Sequence, residues 1–320
     1  MTGLSEPDPR NGLSPPANLW RASCSTMATE PEVLLNLHPS NHSATLTLNR
    51  PRAGNSITPS LQSLFLSHLS SLAHNPDVHS LIVTGAGKFF CTGMDLSSGG
   101  NATAGSAEAA WENGPSSSSV LIDGADLRAG KKLFDEVDHF PKPTIALING
   151  PCYGGGNGLA FACDLRVALS SSTFVLTEVT RGLVPAIISK ILFVPSLLPD
   201  RPLTQHRLRE WPAPIFRLAA LTALPLPSSL LLSSGTLIST HPTLASTTAA
   251  AHALAAALLF SAPGAMSTIK GLARGGGEKE RKEAFVEMMR PSEEAVEGIG
   301  RWRRKEKVDW VAFGKRGAKL

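Results

Sequence analysis

Metal-binding and disulfide chemistry are the first things this sequence lacks. Its four cysteines, Cys24, Cys91, Cys152 and Cys163, form no C-x-x-C pair and have no histidine at ligand spacing, so neither a zinc site nor a disulfide framework is supported. A reducing compartment fits that pattern. Aromatic residues make up only 6% of the 320 residues, with a single tyrosine, and no basic helix is interleaved with stacking side chains. Nucleic acid is therefore a poor partner. The formal charge is only +4, and the basic excess gathers in the tail from Lys270 to Lys319, which favours a phosphorylated small molecule as the anionic partner. A long clean apolar run is missing too. "TTAAAHALAAALLF" carries threonine and histidine, and Pro195 and Pro199 interrupt the stretch after Gly182. No segment approaches the ~18 apolar residues of a membrane span, and a soluble protein is expected.

What is present suffices for a core, since 42% of the residues are hydrophobic. Residues 1–30 are polar and proline-rich, lack the apolar heart of a secretory signal, and read as a flexible extension in which Met27 is an alternative start. "SATLTLNRP" alternates like a strand and stops at Pro51. Thr58 and Pro59 then open a helix whose Leu61, Leu64, Phe65, His68, Leu69 and Leu72 recur at spacings of three and four. "HSLIVTGAG" reads as a buried strand, and "KFFCTGMDL" as the loop after it. Residues 97–119 are so rich in Gly, Ser, Ala and Asn that a mobile surface loop is expected. The pattern restarts with a helix over 127–140, the strand "PTIALING", a glycine-rich turn with its helix, a strand over 165–168 and the extended "TFVLTEV". Alternating strands and helices imply an α/β fold with parallel pairs. Prolines mark 193–206 as a loop or insertion, and helical patterns fill most of the chain beyond it. In "EKERKEAFVEMMRPSEEAVEGIGRW", Ala284, Phe285, Met288 and Met289 make one apolar face, read as core or subunit packing. The domain reading is a core over 31–210 including that insertion, a helical region over 211–314, and a basic tail over 315–320.

The stretch "NGPCYGGGNGLAFACDLRV" sets Gly154, Gly155, Gly156 and Gly158 at a strand-to-helix junction. Glycine there lets the backbone approach a ligand, and a helix start offers unpaired N–H groups to something negative. Neither "GAGKFF" nor the glycine run fits a nucleotide-binding fingerprint: the first lacks the Walker A spacing, and the second has Leu159 where a dinucleotide fold needs glycine.

"NRPRAGNSI", "IVTGAGKFFCTGMDL", "PKPTIALINGPCYGGGNGLAFACDLRVA" and "TEVTRGLVP", in this order and with these separations, resemble the enoyl-CoA hydratase and isomerase family, the crotonase superfamily. The likeness is strong over about residues 32–190 and weak beyond. It implies a crotonase-like spiral of ββα units, a helical C-terminal region mediating trimer contacts (a homotrimer or a dimer of trimers), and acyl-CoA thioesters as substrates. Coenzyme A then arrives with the substrate and no separate cofactor is implied. Such chemistry places negative charge on the thioester oxygen, which two backbone N–H donors stabilise. By motif position these are the amides of Met94 and Gly155, and Met94, Asp95, Leu96, Ser97 and Gly155 are the candidate substrate contacts.

The resemblance implies two glutamates in hydratases. The position of the first, two residues after the third glycine, is Gly158 here, and the second matches Glu178. A lone carboxylate suits removal of a proton from C2 of a 3-enoyl thioester and its return at C4, so a Δ3-Δ2-enoyl-CoA isomerase is expected, with Glu178 as its acid–base. Apolar walls at Val175, Leu176 and Val179 would raise its pKa. A hydratase or 3-hydroxyacyl-CoA dehydratase is the alternative enzyme, and a non-catalytic acyl-CoA binder the alternative of another class. Asp164 is read as structural, and neither Asp95 nor Asp123 has the spacing of a catalytic acid. The closing tripeptide Ala318-Lys319-Leu320 is a conservative variant of the Ser-Lys-Leu address read by the peroxisomal import receptor, so the expected location is the peroxisome.

Overall fold

The computed structural model describes residues 30–95, 132–192, 211–274, 278–290 and 292–317. Strands β1 (Val33–His38) and β2 (Ser43–Leu48) form an antiparallel hairpin with Val33 opposite Leu48. Helix α1 (Pro59–His74) starts where Thr58 accepts the Leu61 amide at 3.1 Å, with proline in the first turn. Its Leu61, Phe65, Leu69 and Leu72 are buried, as their spacing requires. His68, on the same stripe, is only half-buried.

The crossover returns the chain as β3 (Ser80–Gly85), parallel to β2. Residues 132–138 are helical (α2) and lead to β4 (Thr144–Ile148), parallel to β3. Next come β5 (Cys152–Tyr153), α3 (Gly155–Ala162), β6 (Leu165–Leu169) and β7 (Thr173–Val175). Two further strands, β8 (Leu226–Pro227) and β9 (Ser239–His241), come later in the chain. The main sheet runs β1-β2-β3-β4-β6-β9, and a small second sheet runs β5-β7-β8. Both faces of the main sheet are covered. Leu81, Val83, Ala146, Ile148 and Ala168 join the large core with α1, α2 and α3, while Ile82, Ile145, Leu147 and Val167 pack on Ala251 and Ala255. Burial on two faces is why these strands read as nearly unbroken apolar runs.

After α4 (Ala186–Leu192) the next described helix is α5 (Ala213–Thr222), and the Trp211 amide donates to the Leu192 carbonyl at 3.1 Å. The chain positions flanking residues 193–210, which include the expected insertion, therefore touch. The region expected to be helical also contributes β8 and β9, too short to show periodicity, and β9 extends the main sheet beside β6. Its helices are α6 (Ser228–Ser233), α7 (Leu244–Leu258), α8 (Pro263–Ala273), α9 (Glu278–Met289), α10 (Glu293–Arg303) and α11 (Trp310–Gly317). Among the described residues no single helix is long and apolar enough to cross a membrane, and α7 with α8 would qualify only as a pair bent by 111°. The alanine run of α7 has a nearer use, since Thr247, Ala251 and Ala255 lie buried along its length. On α9, Phe285 and Met288 are exposed at 57% and 65%, so of the two readings of this stripe they are not core in this chain.

Candidate active site

The loop after β3 is stitched at both edges. The Ile57 amide donates to the Gly93 carbonyl at 2.8 Å and the Asp95 amide to the Ile57 carbonyl at 2.9 Å, while the Tyr153 amide donates to the Cys91 carbonyl at 3.0 Å. Backbone groups alternate sides along extended chain, so with Gly93 and Asp95 facing Ile57 the Met94 amide faces the other way. There it meets the glycine turn: a Cβ on Gly155 would stand 3.5 Å from the Met94 nitrogen, and a Cβ on Gly93 would stand 2.9 Å from the Gly155 nitrogen. Gly93, at φ 90, can be nothing larger. No acceptor among the described residues takes either amide. Two orphan donors thus lie side by side, one from the loop and one from the first turn of α3.

Gly154 precedes that turn at φ 47, and its missing side chain leaves room for Glu178, whose Oε1 would lie 3.0 Å from a Cβ built there. Glu178 opens the 3-10 turn Glu178–Arg181, shortly after β7. Its Oε2 is buried and has no hydrogen-bond partner among the described residues. Burial raises the carboxyl pKa, opposed by its own backbone amide and by Arg181. Of the apolar neighbours in sequence, Val175 and Leu176 are buried, whereas Val179, on the 3-10 turn, is 40% exposed.

At Gly158 the absent side chain is replaced by neighbours. A Cβ would fall 2.6 Å from Ile188 Cγ2 and 3.1 Å from the Phe134 ring. A second carboxylate is missing there, and its space is filled with apolar atoms from α4 and α2.

A family model described as enoyl-CoA hydratase/isomerase matches residues 40–197. The enoyl-CoA hydratase AFT6-1 of Alternaria alternata is 32% identical over 272 residues, which is 83% of this chain and 80% of that protein. This chain belongs to the enoyl-CoA hydratase/isomerase family. A mevalonyl-coenzyme A hydratase of Beauveria bassiana is 38% identical over 148 residues, 46% of this chain and 49% of its own length. Pseudomonas aeruginosa AtuE superposes with a TM-score of 0.68 at 24% identity, covering 88% of this chain and 99% of that one. Identity this low shows the fold alone, and the crotonase-like α/β architecture with a helical C-terminal region is the fold found.

Within the family site, the remaining sequence candidates separate. Asp95 is spoken for by protein: its Oδ2 accepts from Arg50 Nη1 and from Ser56 Oγ, both at 3.1 Å. Leu96, Ser97 and Asp123, like Ala318–Leu320, lie outside the described residues. Asp164 sits at the far end of α3 and accepts from the Thr144 amide and hydroxyl, both at 2.8 Å. Among the described residues no group of three or more metal-ligating side chains occurs. Cys91, Cys152 and Cys163 are buried free thiols, and Cys91 and Cys163 are pushed up to about 12 by burial, so none is a nucleophile. Sequence reasoning missed three residues around the turn, Asn157, Phe134 and Ile188. Only Asn157, a polar residue inside a glycine and apolar run, carried a visible signal.

Proposed function

We propose that the protein is a 3-enoyl-CoA isomerase in which the Met94 and Gly155 amides hold the thioester oxygen and Glu178 moves the proton. As Glu178 removes the C2 proton, the electron pair shifts onto the oxygen and the dienolate charge meets the two N–H groups, each donor worth about 3 kcal/mol. The same carboxyl then returns its proton to C4, giving the conjugated 2-trans product. A raised pKa suits a group that must accept and release a proton. The observation that carries this reading is the pairing of a Glu178 carboxyl whose buried Oε2 has no partner among the described residues with apolar filling beside Gly158.

Hydration is the second reading, favoured by the relatives, since the 32% identical protein over most of this chain is named a hydratase. Glu178 alone would then draw the proton from water as it attacks C3 and deliver one to C2. Separate incubation with 3-cis-enoyl-CoA and 2-trans-enoyl-CoA decides: conjugation of the first supports isomerisation, water uptake by the second alone supports hydration. Acyl-CoA binding without turnover of either would mean a non-catalytic binder. Peroxisomal import through Ala318-Lys319-Leu320 and assembly as a homotrimer or dimer of trimers belong to the same proposal. Deleting the last three residues of a fluorescent fusion and measuring the mass in solution test them.

A further inference from the structure

Asn157 is fully buried in the first turn of α3, with Gly155 two residues before it. Its side chain does not cap the helix. Instead Nδ2 donates sideways to the Val175 carbonyl at 2.9 Å, with the Cys152 carbonyl at 3.5 Å. The same Val175 carbonyl accepts the Gly154 amide at 2.9 Å, and the Asn157 amide donates to the Gly154 carbonyl at 2.9 Å. Three hydrogen bonds thus close a ring through Gly154, Val175 and Asn157, with Gly155 inside its span. Val175 is the last residue of β7, and three residues later comes Glu178, whose carboxyl lies against Gly154.

The other half of the Asn157 amide argues that this is a fitted arrangement. Its Oδ1 is buried and has no partner among the described residues. A buried acceptor left unpaired costs stability, and an apolar side chain of similar size would avoid that cost, so the N–H donors are what the position uses. We propose that Asn157 is a positioning residue: its side-chain amide holds the turn that carries Gly155 against the strand that leads to Glu178, and so sets the separation between donor and base. This rests on the proposed roles of Gly155 and Glu178.

The test is N157A, read in two ways. The first is kcat and KM on whichever enoyl-CoA the wild type turns over. Loss of register lowers kcat by one to two orders of magnitude while KM stays within about twofold, because a misplaced base harms the reaction more than thioester binding. The second is the titration of the Glu178 carboxyl, followed by 13C NMR on carboxyl-labelled glutamate and assigned with E178Q. Arg181, on the same turn, is the charged side chain that acts on this carboxyl among the described residues. With Arg181 unchanged, release of the clamp lets water reach Glu178 and moves its titration to lower pH. N157S, which keeps a hydroxyl donor in less space, recovers part of both effects and serves if N157A fails to fold. A folded N157A with wild-type kcat and an unmoved Glu178 titration overturns the proposal, whatever its melting temperature. Wild-type protein that turns over no enoyl-CoA overturns the proposed function instead, and the titration, which needs no turnover, still decides on Asn157.

Discussion

The two ends of α3 each hold one acid, and the fold treats them in opposite ways. Beyond the C-terminal end, Asp164 is saturated: besides Thr144, it is paired with Lys270 Nζ at 2.6 Å and with Arg274 Nη2 at 3.0 Å. Arg274 also reaches Asp138, and Lys270 donates to the Lys142 carbonyl, so this end locks α8 onto the segment before β4. At the N-terminal end, Glu178 is half-buried with its Oε2 buried and unpartnered, beside two amides that also lack acceptors among the described residues. A fold spends its polar groups on one another where it needs rigidity, and leaves them orphaned where a ligand is to complete them. The contrast separates the structural acid from the acid assigned here to chemistry.

Breaking the unpaired end comes first, because its effect is largest. E178Q keeps the shape but cannot carry a proton, and turnover of the accepted enoyl-CoA should fall by about 10²–10⁴-fold, with acyl-CoA still bound in a calorimetric titration. Breaking the saturated end should do the reverse. D164N leaves the buried Lys270 and the Arg274 guanidinium without their shared anion, costing on the order of 3 kcal/mol in urea unfolding, moderated by the partial exposure of Asp164. The kcat of the molecules that remain folded should barely change.

Two smaller effects sharpen the contrast within α3. G158A drives a methyl toward Ile188 and Phe134 and should destabilise by about 1–3 kcal/mol, with I188A on the same chain recovering part of the loss in a double-mutant cycle. Failure of I188A to couple would mean that Ile188 does not fill that space. The smallest is a pH effect on stability. Glu178 has its pKa raised above the ordinary 4.5 by burial, so between 4.5 and the raised value the folded chain holds more protons than the unfolded one. Stability contributed by this group therefore falls as pH rises through that window. The melting temperature of E178Q minus that of wild type should grow from below pH 4.5 to neutral pH, and a difference independent of pH would contradict the burial of this carboxyl.

Much of the core was legible because it is local. Thr58 and Pro59 announce α1, and the apolar runs of β3 and β4 announce strands buried on both faces. Glu178, Met94 and Gly155 are candidates by motif position, and the fold sets Gly155 against Met94 and Glu178 against Gly154. What escaped notice depends on partners distant in the chain. Phe134 and Ile188 converge on Gly158 from two other helices, and nothing in either local sequence marks that meeting. Val179 reads as an apolar wall, yet it lies 40% exposed on the 3-10 turn, and Phe285 and Met288 read as core or subunit packing, of which the described residues of this chain leave the core role unfilled.

By itself the sequence determined where the backbone can come close: glycines at 93, 156 and 158 permit approaches that a Cβ would crowd, and that is a property of each residue alone. Tertiary structure alone decided which polar groups would go unpaired. Whether an amide or a carboxyl finds a partner depends on every surface folded against it, and among the described residues the Met94 and Gly155 amides and the Glu178 Oε2 find none.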